Sequence, residues 1–363
     1  MKKSLIALAV LGFAGAAMAQ SSVTLYGVAD AGVGKIKSQT YDPITGTLGG
    51  NNDRSDKTEF ISGSTMNNGT SRLGVRGVED LGGGLKAGFW LEGGMSNDTG
   101  TGQGGGAAGP GFEFKRRSTI SLMGGFGEVR LGRELTVGYV NSTAADVFGD
   151  NGVGASIGKN HFAGVIETRK GNGISYILPS NLGGFYGQVQ YVFGEQLSSA
   201  AYDKAGDYLG ARLGYRNGPL DTAIGFAKGR GASAADDADQ FNIFASYDLG
   251  VVKPFIGFNQ EKNKAAVEVK YQSYLLGLTA PVGPGTVRVS YNDVDLKNSG
   301  NDAQKFAIGY VYDLTKRTAI YGTYAHVKNK GAAAFGAAPG GLTFTTPAGQ
   351  NVNGYEFGVR HSF

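Results

Sequence analysis

The sequence predicts an all-β fold, a closed 16-stranded antiparallel transmembrane β-barrel, and three observations carry that prediction. Segments of about ten residues alternate apolar and polar side chains along most of the chain, and a period of two belongs to strands. The connections between these segments alternate short and long. Past the first twenty residues, no apolar run reaches the ~18 residues that a membrane-spanning helix needs, so any crossing falls to strands.

The elements follow in order. Lys2 and Lys3 precede the apolar run LIALAVLGFAGAA, which ends at Ala17-Met18-Ala19. A charged start, a short apolar stretch and an A-x-A site read as a secretory signal over residues 1–19, too short to be an anchor. Residues 20–363 are then the exported barrel. Loss of Lys2 and Lys3 takes the formal net charge from +4 to +2, so no large basic face for nucleic acid is indicated. There is no cysteine, which excludes a disulfide framework and thiol chemistry. Glycine is the outlier at 63 residues of 363, more than twice the usual ~7%. With 38 Phe and Tyr residues and nine prolines, the composition is neither disordered nor collagen-like and suits many turns between curved strands.

SVTLYGVADAGVG (22–34) opens the strand series. FYGQVQYVFG sets Phe185, Val189, Tyr191 and Phe193 against Gln188 and Gln190, and YLGARLGYR sets Leu209, Ala211, Leu213 and Tyr215 against Arg212 and Arg216. QFNIFASYDL places Phe241, Ile243, Ala245, Tyr247 and Leu249 opposite Asn242, Ser246 and Asp248. TVRVSYN sets Val287, Val289 and Tyr291 against Arg288, Ser290 and Asn292; KFAIGYVYD sets Phe306, Ile308, Tyr310 and Tyr312 against Lys305, Gly309 and Asp313. Seven short turns, at 79–84, 124–127, 179–184, 217–219, 248–251, 281–285 and 313–317, alternate with eight longer loops. Those loops lie near 35–69, 96–111, 135–168, 195–205, 230–238, 262–268, 297–303 and 329–352.

A soluble sandwich also alternates, but lacks this two-sided asymmetry of loop length. About ten residues per strand, tilted ~40°, cover the ~25 Å apolar band of an outer-membrane barrel. Sixteen strands enclose room for water, since ~8 already fill with side chains. The polar stripe therefore faces a water-filled lumen and the apolar stripe faces lipid. The final segment, YEFGVRHSF (355–363), alternates too, and closes the barrel against the first strand.

At this point the chain resembles a known family, the trimeric 16-stranded general porins of Gram-negative β-proteobacteria. SSVTLYGVADAGV, SRLGVRGVEDLGGGLKAGFWLEGG, FKRRSTISLMGGFGEVRLGRE, GISYILPSNLGGFYGQVQYVFGE and GYEFGVRHSF carry the likeness, which covers nearly all of residues 20–363. The resemblance implies a homotrimer in the outer membrane and passive diffusion of small hydrophilic solutes and ions. It implies that the third long loop folds into the lumen, and that Phe363 belongs to the signal read by the barrel-insertion machinery. Two departures stand out: the first loop is long, and Arg117 is followed by Ser-Thr-Ile where the family usually reads Gln-Ala-Tyr.

A channel needs charge at its narrowest point, where low-dielectric walls focus the field. Arg72 and Arg76 share one parity, opposite Leu73 and Val75. Arg117 shares parity with Thr119 and Ser121, and Arg130 lies opposite Val129 and Leu131. Arg133 stands where its strand enters the third loop, and Arg169 begins the strand after it. The resemblance places Arg72, Arg117 and Arg169 in a basic ladder, with Asp146 and Asp150 on the loop opposite. The alternative is that these arginines coat a solvated wall or bind lipopolysaccharide phosphates at the rim. A cationic excess implies preference for small anionic solutes.

Other chemistry is thin. His161, His326 and His361 lie far apart with no carboxylate at metal spacing, so no metal or cofactor is expected. Gly104, Gly106 and Gly109 match a nucleotide-binding spacing by chance, in a loop with no following helix. DDADQ (236–240) reads as a solvated acidic loop or a cation contact between neighbouring lipopolysaccharides. An outer-membrane enzyme would need a nucleophile, histidine and acid together, and none is grouped here. A substrate-specific channel for organic anions, or an adhesin built on the long loops, shares the same barrel. Gly27, Ala29 and Ala31 in the first strand suggest close packing at a subunit contact.

Overall fold

Antiparallel pairing of neighbouring segments gathers the strands into one continuous sheet that closes on itself. The computed structural model describes residues 22–39, 54–62, 68–102, 111–162, 164–337 and 346–363. The expected signal peptide at 1–19 and the glycines at 104, 106 and 109 lie outside them. The strands are β1 (Ser22–Gln39), β2 (Arg54–Ser62), β3 (Arg72–Gly82), β4 (Leu85–Gly94), β5 (Arg117–Gly124) and β6 (Gly127–Leu135). A six-residue helix, α1 (Val137–Ser142), precedes β7 (Arg169–Ile177), β8 (Phe185–Val192), β9 (Tyr208–Asn217), β10 (Leu220–Gly229) and β11 (Ala238–Tyr247). Then come β12 (Lys253–Asn263), β13 (Lys270–Val282), β14 (Gly285–Leu296), β15 (Ala303–Asp313), β16 (Thr318–Asn329) and β17 (Val352–Ser362).

Sixteen of these form the ring. From β3 to β17 each strand pairs with the next, and β1 closes the gap. One edge of β1 pairs with β17 from Val28↔Ser362 to Ser38↔Val352. Its other edge pairs with β3 over Ser22–Val28 and, further up, with β2 over Ala31–Gln39. The seam is sealed by mutual 3.1 Å backbone hydrogen bonds between Gly27 and Phe363. A side chain at Gly27 would collide with the Phe363 ring, so the glycine permits the closure. The stretch expected as one long loop at 35–69 thus carries strand on both flanks. β1 runs on to Gln39 and β2 folds back on it, because neither flank has a turn signal strong enough to end the pairing.

Every strand has an outer apolar face. Ile120, Phe226, Leu276 and Phe357 are exposed, as befits side chains meant for lipid. The inner face divides into two kinds of wall. Along β3–β7 it is charged. Along the upper ends of β14–β17 and β1 it is small and apolar: Val294, Ala303, Ala307, Ala325, Val327, Val352 and Ile36 cluster there with Val147, Phe148, Val153 and Ile157 of the third long loop. The expected uniformly polar stripe is therefore interrupted, because part of the inner face buries protein.

Candidate functional site

The third long loop leaves β6 beside a bulge whose extra residue lies on β7, between Lys170 and Gly173. Gly132 adopts φ 115°, open to glycine alone, and the β6–β7 register shifts between Gly132 and Glu134. Glu134 keeps the inward parity of Glu128 and Arg130, and Arg130 (2.5 Å) and Ser175 (2.6 Å) donate to its carboxylate. Thr136 then caps α1, its hydroxyl accepting the Tyr139 N–H.

Beyond the cap, the chain is fastened by inward side chains of β8–β17, which answer its backbone group by group. Gln190 Oε1 accepts the Val137 N–H (3.2 Å), and the Gly138 N–H donates to the Tyr208 hydroxyl (3.0 Å). Asn141 donates to Asn242 Oδ1 (2.6 Å). Glu356 accepts the Val153 N–H (3.0 Å), and Asn292 Oδ1 accepts the Ile157 N–H (2.8 Å) and the Ser156 hydroxyl (2.9 Å). Asn259 and Ser273 both donate to the Gly158 carbonyl. Glu261, fully buried, accepts the Asn160 and His161 N–H groups as well as the Gln240 and Asn259 amides. Lys305, 1% exposed, reaches the Ala155 carbonyl at 2.5 Å and the Ala337 carbonyl of the eighth long loop at 2.8 Å.

Between this fastened loop and the β3–β7 wall lies a cavity of 1660 Å³. Nine cationic side chains border it, against four carboxylates. Arg72, Arg117, Arg130, Arg133, Arg169 and Asp150 of the expected set all line it. Their circumstances differ. Arg72 lies 3.6 Å from Glu92, and Arg130 is held between Glu128 and Glu134. Arg117 stacks its guanidinium 4.1 Å above the Trp90 ring and donates to Thr119 Oγ1. Arg133 and Arg169 each spend Nε on a backbone carbonyl, of Lys115 and Arg116 respectively. Among the described residues, no carboxylate pairs with Arg117, Arg133 or Arg169.

Two expected residues sit elsewhere. Arg76 lies over Tyr26 and Trp90, below the cavity lining. Asp146 is buried in the loop itself, accepting the N–H groups of Phe148, Asp150 and Ser156. A carboxylate that satisfies three backbone donors shapes the turn, and that is the physical reason it is withdrawn from the lumen. Asp150, at φ 59°, pairs with Lys159 (2.7 Å) and takes the Tyr139 hydroxyl. Burial, followed by the Asp150 charge, raises the Tyr139 pKa, keeping the phenol a donor.

Four cations of the lining were not among the expected site residues: Lys115, Arg116, Lys159 and Arg212. Arg116 is off the strand repeat and pairs with Glu92 (2.7 Å). Arg212 stood on the polar stripe of its strand and was legible there; its Nε is buried without a partner. Among the described residues, no group of three or more histidine and acidic side chains gathers at metal distance. His326 and His361 bond Asn353 and Thr318. Asp237 of the acidic loop is occupied by Tyr202 and Arg230. Burial pushes its carboxyl pKa up, but the hydrogen bonds from Arg230 and Tyr202 outweigh that and hold it down.

Comparison with known proteins gives a consistent result. A family model described as Gram-negative porin matches residues 4–332. Outer membrane porin protein 32 of Delftia acidovorans is 42% identical over 374 aligned residues, with both chains covered in full. An outer membrane porin protein of Bordetella pertussis is 33% identical, the match covering 91% of this chain and 95% of that one. Among solved structures, an anion-selective porin from Comamonas acidovorans superposes with a TM-score of 0.79 at 38% identity, covering 95% of this chain and 100% of that one. OmpT of Vibrio cholerae in trimer form, at 14% identity and a TM-score of 0.64 over 94% and 99% of the two chains, shares the fold alone.

Proposed function

We propose, for a chain that belongs to the Gram-negative porin family, that this outer-membrane barrel passes small hydrophilic solutes by passive diffusion and prefers anions. One observation carries the preference: nine cations border the cavity against four carboxylates. In a low-dielectric annulus such an excess concentrates anions and repels cations. The solved anion-selective relative supports the same sign.

Within this reading the roles divide. Arg117, Arg133 and Arg169 supply the field, since no carboxylate neutralises them, with Arg212 as a fourth contributor. Arg72 and Arg130 shape the wall through Glu92 and Glu134. The third long loop narrows the lumen, a reading supported by its bonds to inward side chains of eight strands. Asp150 is the loop's acidic member facing the ladder. Arg76 stiffens the Tyr26–Trp90 cluster, and Asp146 the turn.

The barrel assembles as a homotrimer through the small outer residues Gly27, Ala29 and Ala31, follows removal of residues 1–19, and is recognised through Phe363 by the insertion machinery. Lipopolysaccharide surrounds the loop side. The fold and family are those of a channel, with no catalytic step. A planar bilayer holding the purified protein, bathed in a tenfold KCl gradient, tests the central claim. The zero-current potential should take the anion sign; the cation sign would reject it.

A further inference from the structure

The cavity has a second wall that a preference for simple anions leaves unused. Phe335 of the eighth long loop borders it, and its backbone is clamped from both sides by one buried side chain. The Phe335 N–H donates to Asn329 Oδ1 at 2.9 Å, and its carbonyl accepts from Asn329 Nδ2 at 3.0 Å. The ring so placed meets His161 of the third loop edge-on, 5.9 Å between centroids. His161 in turn lies flat on Tyr271 of β13, at 4.1 Å and 11° between planes. Three rings from the wall and two separate loops thus form one shelf, and Phe335 and His161 border the same cavity as the unpaired guanidinium groups.

The shelf is neutral. Burial lowers the His161 pKa, so its ring adds aromatic surface rather than another cation. An inorganic ion gains nothing from such a surface, whereas a flat aromatic body gains both buried area and edge-to-face ring contact. An amphipathic solute can use both walls at once.

We propose, building on the anion-preferring reading above, that the solutes best accommodated are aromatic carboxylates: the carboxylate group tracks the guanidinium groups of Arg117 and Arg169 while the ring passes along the Phe335–His161 shelf. An aliphatic carboxylate of equal charge engages the first wall only.

The test replaces chloride on one side of a planar bilayer by benzoate, cyclohexanecarboxylate or acetate, and derives permeabilities from zero-current potentials. The benzoate-to-acetate ratio should exceed the ratio of their aqueous mobilities about threefold or more, with cyclohexanecarboxylate between them. Phe335→Ala should bring the ratio back to the mobility value. Phe335→Leu, which keeps apolar volume so that the loop stays folded, should lower it as well. A wild-type ratio equal to that of the mobilities, or an excess that survives in both variants, overturns the proposal. The parent reading fails separately: a cation-sign potential in KCl would dismiss it before any carboxylate is compared.

Discussion

Two arcs of the same barrel put identical inward positions to opposite use. Along β3–β7 the lumen-facing side chains include Arg72, Arg117, Arg130, Arg133 and Arg169, three of them with no carboxylate partner among the described residues. Along β8–β17 they are Gln190, Asn242, Asn259, Glu261, Ser273, Asn292 and Glu356, and each is matched to the backbone of the third long loop. A buried amide or carboxylate answered by backbone groups holds a segment in place. A guanidinium with no carboxylate projects its charge into the water instead. On the function proposed above, the chain thereby separates the task of building a narrow place from that of charging it.

This contrast can be broken first at the fastening arc. Glu261→Ala strands four donors, each costing ~1–3 kcal/mol when buried and unsatisfied. Partly offset by relief of the buried charge, the expected loss is about 3–5 kcal/mol. A lower thermal unfolding midpoint and a larger, noisier single-channel conductance should follow; an unchanged midpoint and conductance would show that the loop does not depend on this anchor. Lys305→Met is milder, about 2 kcal/mol, because removing the ammonium group also relieves its desolvation cost. It should raise open-channel noise, read in the same recordings.

The charging arc responds in selectivity instead. Taking a unit charge ~7 Å from the solute path at water-like dielectric gives ~0.6 kcal/mol. Arg117→Ala or Arg169→Ala should therefore each lower the chloride-over-potassium permeability ratio about threefold in 0.1 M salt. The loss should shrink in 1 M salt, where the Debye length falls to ~3 Å. No change at low salt would remove these residues from the field. The smallest effect on selectivity is expected from the neutral exchange of Glu128→Gln with Arg130→Gln, since net charge is conserved and Arg130 is already matched by carboxylates. Permeability ratios altered as strongly as in Arg117→Ala would erase the distinction between paired and unpaired arginines.

Much of the barrel was legible because strands leave a local trace. The parity of Phe306, Ile308 and Tyr312 against Lys305 reads the same in the sequence and in the fold, and short turns such as 248–251 fall where expected. The bulge in β7 opposite Gly132 was not legible, since one extra residue near Asn172, at φ 53°, resets parity without altering composition. Nor was β2, whose partner is set by the length of β1 rather than by its own pattern. The charged lining was half legible. Parity brings an arginine inward, but whether it meets water or protein depends on where a distant loop settles. That is why Arg212 was passed over, and why Asp146 turned out to serve its own backbone. Ala303, Ala307 and Ala325, which nothing in the sequence singles out, form the floor under two loops.

The loop's fastenings also impose an order of events. Val153 is bonded to a side chain 203 positions later in the chain, and Ser156 to one 136 positions later. Those partners exist in their final places only after the last strands have paired, and closing such long stretches carries a large entropic toll. The last of the loop's fastenings therefore follow ring closure in time. Until those last bonds form, the loop is held only by its earlier anchors on Gln190, Tyr208 and Asn242, so a ring caught at that stage should have a wider bore than the finished one.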